Sequence, residues 1–546
     1  MTYELLEQPW VPTAGPGGLI DRSVRRVLAE AHELHGLAAL PATVNVAILR
    51  QVLLPIVLDA FGPPRSIEEL GERLRAGSVD LAILDDYLDR FAHRFDLFHP
   101  TEPFGQVAEL ATAKGEVKGI GLIVPTEASG NNVPLFAPRS EGGGLTLSPA
   151  EATRWLLHTQ CYDTAAIKSG AVGDAHVKSG KTVGNPTGPV GRFGAVVPIG
   201  RTLYETLILN LPIRDAGLAA DDRPWWDRPP PTASWSSRPA AGLIDLLTWQ
   251  SRRVRLVYSG DDASATVHGV VLCAGDRLDP FPVHDPVEPH CAWTIDAKPK
   301  PGEPERRPQR HQAGRASWQG FKSLIARAPG TGAGHATSQL LQQVGELWSA
   351  GQLELGYSLN VDLAGIEYGN MSAIVEHIVH DALPLPVAAL RATSEVGPTL
   401  DLVASDADEL IKILNGLEGD VRRALGSDLL PWDKGERATA RFVHQLDQLV
   451  RRLLRGMQLP SPAPHSYDTV IDAWHAEARR LTLAAADDVL AQVPSAAFQG
   501  RLVTGSDKKE RRYNVATAEL RFRSKLRELV GDGTFPAPDS AEEESA

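Results

Sequence analysis

The sequence changes character near Ala373, and this change constrains the fold more than any other feature. Before it, apolar segments are short and interrupted by Gly, Pro and Asn, which indicates small sheets, short helices and loops. After it, apolar residues recur at helical spacing over residues 407–417, 439–454, 467–493 and 515–530. Four such segments in succession predict a helical bundle.

We therefore predict an α+β fold with two domains. Residues 1–372 are expected to form a mixed α/β N-terminal domain with short sheets and long loops. Residues 373–546 are expected to form a C-terminal four-helix bundle that ends in a disordered acidic tail. The length of 546 residues agrees with this division, because one hydrophobic core rarely organises a chain of that size.

Several individual elements also leave local signals. Apolar residues at three-to-four spacing predict helices over residues 24–37 and 44–61. Ser148, Pro149 and Glu151 form the start of a further helix, because Ser caps, Pro suits the first turn and Glu completes a capping box. Apolar or alternating runs predict strands over residues 120–124, 253–258 and 265–273.

The cysteine content and the N-terminus indicate the cellular compartment. The chain has 3 cysteines, an odd and sparse set that fits a reducing cytosol better than a secreted disulfide scaffold. The first ten residues contain two Glu and no apolar run behind a basic start, so we expect no signal peptide. We expect a cytoplasmic protein without membrane association, since Pro, Gly or charge interrupts the longest apolar stretches.

The net charge of -13 is the opposite of what a freestanding nucleic-acid binder shows. A local basic surface is still compatible with it. Residues 168–194 combine lysines at 168, 178 and 181 with more glycine than a regular helix or strand accepts. Long loops of this kind are usually functional or disordered, so this stretch is the first place to look for a ligand. Its glycines are Gly170, Gly173, Gly180, Gly184, Gly188, Gly191 and Gly194.

Catalytic and metal-binding patterns are weak throughout the sequence. His377, His380 and Asp381 would suit a metal-dependent, HD-type phosphohydrolase on a helix, but the further ligands such a site needs do not stand out. Cys273 and Cys291 lack the paired spacing typical of zinc sites. We predict no catalytic residues, no metal and no cofactor. The phosphohydrolase and a protein-only scaffold that never touches nucleic acid remain the alternatives.

A series of short segments, in this order and spacing, resembles the large-subunit family, CasA, of the type I-E CRISPR surveillance complex Cascade. The similarity lies mainly in the first half of the chain. The segments are residues 9–12, 95–100, 103–106, 128–132, 147–152, 167–170, 200–207, 224–226 and 246–250.

The resemblance implies a function and a set of partners. The large subunit of that family holds the 5′ end of the CRISPR guide RNA and recognises the protospacer-adjacent motif in target double-stranded DNA. It then promotes strand separation and R-loop formation, and it recruits the helicase-nuclease effector. The partners implied are therefore the guide RNA, the target duplex, the other Cascade subunits and the helicase-nuclease, with the guide reading the long sequence.

The resemblance also implies roles for particular residues. A loop that holds the guide RNA handle corresponds to Ser129, Gly130, Asn131 and Asn132. A glycine loop against the DNA minor groove falls within residues 170–194, including Gly170 and Gly173, with Lys168, Lys178 and Lys181 on the flanking phosphates. Arg277 stands where the family has a lysine finger, and Asn370 and Met371 stand at the strand-separating wedge. Because the minor groove mainly separates A·T from G·C pairs, we expect a tolerant motif reader.

Overall fold

The computed structural model describes residues 2–127, 144–260, 265–284, 287–296, 298–300, 303–325, 334–391, 393–426, 439–458, 467–504 and 510–532. The chain forms two compact units. Unit 1 comprises Met1–Arg315 and Ser323–Arg391, and unit 2 comprises Ala316–Lys322 and Ala392–Ala546. Residues 373–391, expected in the helical domain, therefore belong to unit 1, because most of them form a strand of one of its sheets.

The helices of the described residues are, in chain order, α1 (Val24–Ala29), α2 (Ala42–Ile48), α3 (Leu54–Phe61), α4 (Ile67–Ala76), α5 (Leu81–Phe91), α6 (Pro149–Tyr162), α7 (Leu203–Leu209), α8 (Leu243–Leu247), α9 (Phe321–Leu324), α10 (Gln339–Ser349), α11 (Val396–Ala424), α12 (Thr439–Gln458), α13 (Tyr467–Ala491), α14 (Ala496–Gln499) and α15 (Val515–Val530). In the part of the chain that the structure describes, every α-helix of 16 or more residues belongs to unit 2. The mixture of helices with small sheets confirms the α+β prediction.

The strands of the described residues are β1 (Val11–Gly15), β2 (Gly18–Arg22), β3 (Gly36–Leu37), β4 (Lys118–Gly119), β5 (Lys168–Ser169), β6 (Lys181–Thr182), β7 (Ala195–Ile199), β8 (Ser237–Arg238), β9 (Arg252–Ser259), β10 (Thr266–Ala274), β11 (Arg277–Leu278), β12 (Trp293–Ile295), β13 (Arg306–Pro308), β14 (Gly334–Ala336), β15 (Ser358–Tyr368), β16 (Val375–Pro386), β17 (Arg501–Thr504) and β18 (Glu510–Tyr513). Of these described strands, only β17 and β18 belong to unit 2. The predicted strands over 253–258 and 265–273 are confirmed as β9 and β10.

Two sheets of unit 1 position the candidate site. In the first, β10 pairs antiparallel with β9 and β4 and parallel with β5, and β5 pairs in turn with β6. In the second, the long hairpin β15–β16 pairs with β7 through β15. The glycine-rich stretch therefore extends one sheet, while residues 369–374 form the turn at the end of a long hairpin of the other.

The helix predicted over 44–61 is confirmed, with an unexpected irregularity. A π-helical segment, Leu49–Leu53, separates α2 from α3. It lies just before Pro55, which lacks an N–H for the helical ladder, so a wider turn accommodates the interruption. Residues Ala42–Phe61 are long and apolar enough to cross a membrane, but most of their side chains are buried inside unit 1, as in the core helix of a globular domain.

Other local predictions had mixed outcomes. The capping box is confirmed: Ser148 Oγ accepts from the Glu151 N–H and Glu151 Oε2 accepts from the Ser148 N–H at the start of α6. The helix over 24–37 was wrong beyond Ala29, where the chain turns into the short strand β3. The strand over 120–124 was also wrong, since Ile120–Ile123 is a 3-10 helix that buries Ile120 and Ile123.

Unit 2 is the predicted helical bundle. Its long central helix α11 packs against α12, α13 and α15, and the predicted segments 407–417, 439–454, 467–493 and 515–530 fall on these four helices. The sequence did not reveal the antiparallel hairpin β17–β18 that precedes α15. The predicted acidic tail lies outside the described residues.

Candidate nucleic-acid interface

The glycine-rich stretch is mostly loop, and two short paired strands anchor its first part, with residues 170–180 connecting them. Strands β5 and β6 pair antiparallel, and the Gly170 N–H donates to the Gly180 carbonyl at 2.9 Å. Ser179 (φ 50°) and Gly180 (φ 73°) both have positive φ in a turn between Lys178 and Lys181, directly before β6. Two central residues of this kind define a type I′ turn, which suits the twist of a two-residue hairpin. We call residues 168–182 the glycine hairpin.

Lys178 and Lys181 flank the turn and face each other across it. The N–H of each donates to the carbonyl of the other, at 2.9 and 3.0 Å. Both side chains are exposed, and among the described residues neither forms an ion pair. Like charges directly opposite each other in a hairpin are destabilising. A phosphate placed between them would relieve this repulsion, so the pair is suited to an anion.

The glycines of this region divide into two groups. Gly173, Gly180 and Gly184 are exposed and have φ of 87°, 73° and 70°, which L side chains rarely adopt. A Cβ on Gly173 or Gly180 would meet nothing within 4 Å, so both present open main chain to solvent. Gly170 is different, because it is buried and a Cβ there would lie 2.4 Å from the Val177 side chain. Its role is close packing inside the hairpin.

Lys168 does not occupy the position expected of a phosphate ligand. It is only 7% exposed, and its Nζ lies 2.6 Å from Asp163 Oδ2. Arg252 binds the same carboxylate oxygen. Burial acts to raise the pKa of Asp163, but Lys168 and Arg252 outweigh it and hold this pKa below its usual range. Burial lowers the pKa of Lys168. The Lys168 side chain thus completes a buried ion pair, which is at odds with the predicted contact to a DNA phosphate.

Arg277 lies beside the glycine hairpin. It is the first residue of β11, just after the β10 strand on which β5 is paired. Its Nη2 donates to the Val183 carbonyl at 2.8 Å, and Nη1 lies 3.9 Å from the position of a Cβ on Gly184. Its guanidinium stacks 4.0 Å from the ring centre of Trp235. Burial lowers the pKa of Arg277. Arg277 thus lies near exposed glycine main chain, and its role as the family's lysine finger stays a prediction.

Asn370 and Met371 form the tip of the β15–β16 hairpin. Met371 is 88% exposed, with φ 54° and ψ 25°, and Ser372 follows with φ 56°. Two consecutive non-glycine residues in the left-handed region are uncommon and store backbone strain. The turn thereby projects a large apolar side chain into solvent, which is the property required of a wedge between base pairs.

Main-chain contacts hold this tip beside the base of the glycine hairpin. The Ala165 N–H donates to the Ser372 carbonyl at 2.8 Å, three residues before Lys168. The Tyr368 hydroxyl donates to the Tyr162 carbonyl at 2.6 Å. Gly191 leaves room for this hydroxyl, since a Cβ there would lie 2.2 Å from it. The sequence did not reveal these contacts of Ala165, Tyr368 and Gly191, because their partners are distant in sequence.

A second group missed by the sequence interpretation joins the glycine hairpin to Trp235. Asp174 accepts hydrogen bonds from His176 and from Trp235, and the His176 ring stacks on the Trp235 ring. An isolated tryptophan in a Pro- and Ser-rich segment gave no signal for this contact.

The phosphohydrolase alternative fails on geometry. His377, His380 and Asp381 lie on strand β16, not on a helix. Side chains alternate between the faces of a strand, so His377 and His380 point to opposite faces, as do His380 and Asp381. His380 instead lies 3.9 Å from Asp362 on the neighbouring strand, and this partner raises its pKa. Within the described residues, no group of three or more His, Cys, Asp or Glu side chains could hold a metal ion.

The predicted guide-handle residues Ser129, Gly130, Asn131 and Asn132 lie outside the described residues. Their assignment stays a prediction.

Comparisons with known proteins agree with the fold described above. A curated relative, the CRISPR-associated protein CasA/Cse1 of Thermus thermophilus, is 29% identical over 440 residues, 78% of each chain. The crystal structure of Thermobifida fusca Cse1 is similar with a TM-score of 0.83 and 33% identity, covering 98% of this chain and 99% of that one. A chain of a CRISPR RNA-guided surveillance complex shares the fold, with a TM-score of 0.72 and 19% identity over 96% of this chain and 99% of its own.

The match to a protein family is the most extensive of these findings. The family described as CRISPR-associated protein Cse1 (CRISPR_cse1) covers residues 4–485, which include the glycine hairpin, the β15–β16 tip and most of the bundle. The chain therefore belongs to the family of CRISPR-associated protein Cse1.

Proposed function

We propose that this chain is the large subunit of a type I-E Cascade complex and that it recognises the protospacer-adjacent motif through the minor groove. The glycine hairpin enters the groove with the main chain around Gly173 and Gly180, where the absence of side chains permits close approach. Lys178 and Lys181 bind phosphates at the edge of the groove. Arg277, beside exposed Gly184, supplies a further cation.

The observation that carries this proposal is the arrangement of Lys178 and Lys181 around the type I′ turn. The hairpin places two exposed lysines, which form no ion pair within the described residues, at opposite positions of a turn that contains exposed Gly180. A protein-binding surface has no need of such repulsion, whereas a polyanion converts it into attraction. The phosphate backbone of a nucleic acid is the ligand that matches both features.

Strand separation follows at the adjacent tip. The hydrogen bond between Ala165 and Ser372 places Asn370 and Met371 next to the base of the glycine hairpin. Insertion of Met371 at a base step costs a few kcal/mol of unstacking. Duplex contacts and pairing of the target strand with the guide RNA offset this cost, so motif binding and R-loop initiation occur at neighbouring positions.

The partners follow from the same assignment. We propose that residues 129–132 hold the 5′ handle of the guide RNA and that the other Cascade subunits and the helicase-nuclease bind elsewhere on this chain. A related chain is found in a CRISPR RNA-guided surveillance complex, which supports assembly with guide RNA and further subunits. The net charge of -13 is compatible with this role, because partner subunits raise the effective concentration of DNA at a small basic surface.

Reconstitution tests the proposal. The chain is combined with guide RNA and the other Cascade subunits, and binding of target duplexes that carry varied trinucleotides beside the protospacer is measured with and without it. We expect motif-dependent, salt-dependent binding only when this chain is present, and acceptance of several related motifs. Binding that is equally strong without the chain, or independent of the motif, would support the protein-only scaffold instead.

A further inference from the structure

Three side chains of unit 1 form a compact polar group on the glycine hairpin. Asp174 Oδ1 accepts the His176 main-chain N–H at 3.0 Å and lies 2.9 Å from His176 Nδ1. Its other oxygen, Oδ2, accepts the indole N–H of Trp235 at 3.0 Å. The Asp174 side chain is only 2% exposed, whereas that of His176 is 47% exposed. The buried carboxylate of Asp174 therefore holds the exposed imidazole of His176 in place.

The imidazole is fixed in orientation as well as in position. The rings of His176 and Trp235 stack at 4.0 Å with 28° between their planes. The guanidinium of Arg277 lies 4.0 Å from the centre of the same indole ring. Trp235 itself is 8% exposed and contacts both neighbours. A histidine that only filled surface space would not require a buried anion and an aromatic support.

The hydrogen bond to Asp174 also decides which ring nitrogen carries the proton. A carboxylate can only accept, so the nitrogen facing it, Nδ1, must be the donor. In the neutral imidazole the second nitrogen, Nε2, is then an acceptor. Within the described residues Nε2 has no hydrogen-bond partner, and the exposed fraction of the ring leaves it accessible.

A hydrogen-bond acceptor on the protein can distinguish G·C from A·T pairs in the minor groove. Adenine N3 and thymine O2 are acceptors and would not bind it, whereas the 2-amino group of guanine is the donor that distinguishes a G·C pair there. Resting on the function proposed above, we infer that His176, in its neutral form, accepts at Nε2 a hydrogen bond from a guanine 2-amino group in the motif. His176 is thus a specificity-determining residue, and Asp174 and Trp235 are its positioning residues.

Base analogues test this inference in the reconstituted complex with full-length chain. The duplex that binds best is made with inosine in place of each motif guanine, which removes only the 2-amino group. We expect one substitution to weaken binding by about fivefold, the effect of one uncharged hydrogen bond. Conversely, 2,6-diaminopurine in place of adenine at that position adds an amino group to the minor groove and should restore binding to an A·T motif.

The matched variant is His176→Phe, which keeps an aromatic ring on Trp235 and removes the acceptor. It should bind the guanine and inosine duplexes equally, with an affinity near that of the wild-type protein for inosine. His176→Phe binding that still falls on inosine substitution would overturn the inference, as would wild-type binding unaffected by inosine at every position. A best-binding motif that contains no G·C pair would overturn it too.

The function proposed above fails in a different way. In that case the wild-type complex would show no dependence on the motif at all, and loss of Lys178 and Lys181 would leave duplex binding unchanged. If binding still depends on the motif but does not depend on the guanine 2-amino group, only the role of His176 is contradicted and the proposed function stands.

Discussion

Lys178 and Lys181 exchange two main-chain hydrogen bonds, at 2.9 and 3.0 Å, across a two-residue turn, and their side chains remain exposed and unpaired within the described structure. This relationship produces a local electrostatic repulsion between two positive charges in the glycine hairpin. The fold tolerates it because the turn residues Ser179 and Gly180 and the pairing of β5 with β6 fix the backbone independently of the side chains. Binding of DNA phosphates would reduce the repulsion between the two lysines.

Replacement of both lysines by alanine should therefore weaken duplex binding and change its salt dependence. Each phosphate contact contributes about 0.9 to the slope of log affinity against log salt. For Lys178→Ala with Lys181→Ala we expect the slope to fall by about 1.8, with no loss of thermal stability. Binding titrations of the reconstituted complex from low to high salt measure this slope.

The charge-matched control removes two lysines elsewhere. Lys118 pairs with Glu116 and Lys412 pairs with Glu409, so Lys118→Ala with Lys412→Ala lowers the net charge equally without touching the hairpin. An equal fall in slope for the control would show that overall charge, and not this pair, governs binding.

Lys168→Ala should behave in the opposite manner. Its ammonium is buried against Asp163, so its loss leaves that carboxylate with Arg252 as its remaining cationic partner. We expect destabilisation of about 1–3 kcal/mol and an unchanged salt slope for the variant protein that remains folded. Urea unfolding of the isolated chain and the same salt titration separate the two effects. A lower salt slope with unaltered stability would instead indicate that Lys168 contacts a DNA phosphate.

Truncation at the β15–β16 tip should affect strand opening more than duplex capture. Asn370→Ala with Met371→Ala removes the projecting side chains while the Ala165 to Ser372 hydrogen bond keeps the tip in place. We expect motif-dependent duplex binding within about threefold of wild type, because truncation of a few exposed contacts costs less than about 1 kcal/mol there. Permanganate reactivity of displaced thymines should fall strongly. Equal losses in capture and opening would contradict a wedge.

The stability of unit 1 should decrease as the pH falls below about 6.5, the usual histidine pKa. Burial lowers the pKa of His158 to about 3, and its Nε2 lies 3.1 Å from Thr43 Oγ1 in the core. Between these two pKa values the unfolded chain binds a proton at this histidine and the folded chain does not. Unfolding is therefore favoured by about 1.4 kcal/mol per pH unit for this group.

His158→Gln removes this contribution, so the loss of unfolding free energy from pH 7 to pH 5 should be smaller than in wild type by about 2 kcal/mol. Urea unfolding at the two pH values measures the difference. His268 is exposed on β10, so His268→Gln is the control and should follow the wild-type dependence. A His158→Gln protein with the full wild-type pH dependence would show that this histidine is not neutral in the fold.

The sequence predicted elements that depend on local chemistry and missed those that depend on distant partners. The cap at Ser148 and the four bundle helices follow from neighbours within a few residues. Residues 375–386 form a strand because β15 pairs along almost their whole length, and no periodicity of His377 or His380 reveals that partner.

The candidate site shows the same division. The exposed turns at Gly173, Gly180 and Gly184 were predicted, because Gly-rich turns have local signals. The burial of Lys168 was missed because it depends on Asp163 and on Arg252 more than eighty residues away. The His176 and Trp235 stack was missed for the same physical reason.

The most direct test of the account asks whether the glycine hairpin touches the motif duplex. Ala175 is exposed on the hairpin, and the native cysteines Cys161, Cys273 and Cys291 are buried, so Ala175→Cys offers one accessible thiol within the described residues for an iron chelate that cleaves nearby DNA. In the assembled complex, we predict cleavage of both strands confined to a few base pairs around the motif. Cleavage elsewhere on the target, or none with a motif duplex bound, would contradict it.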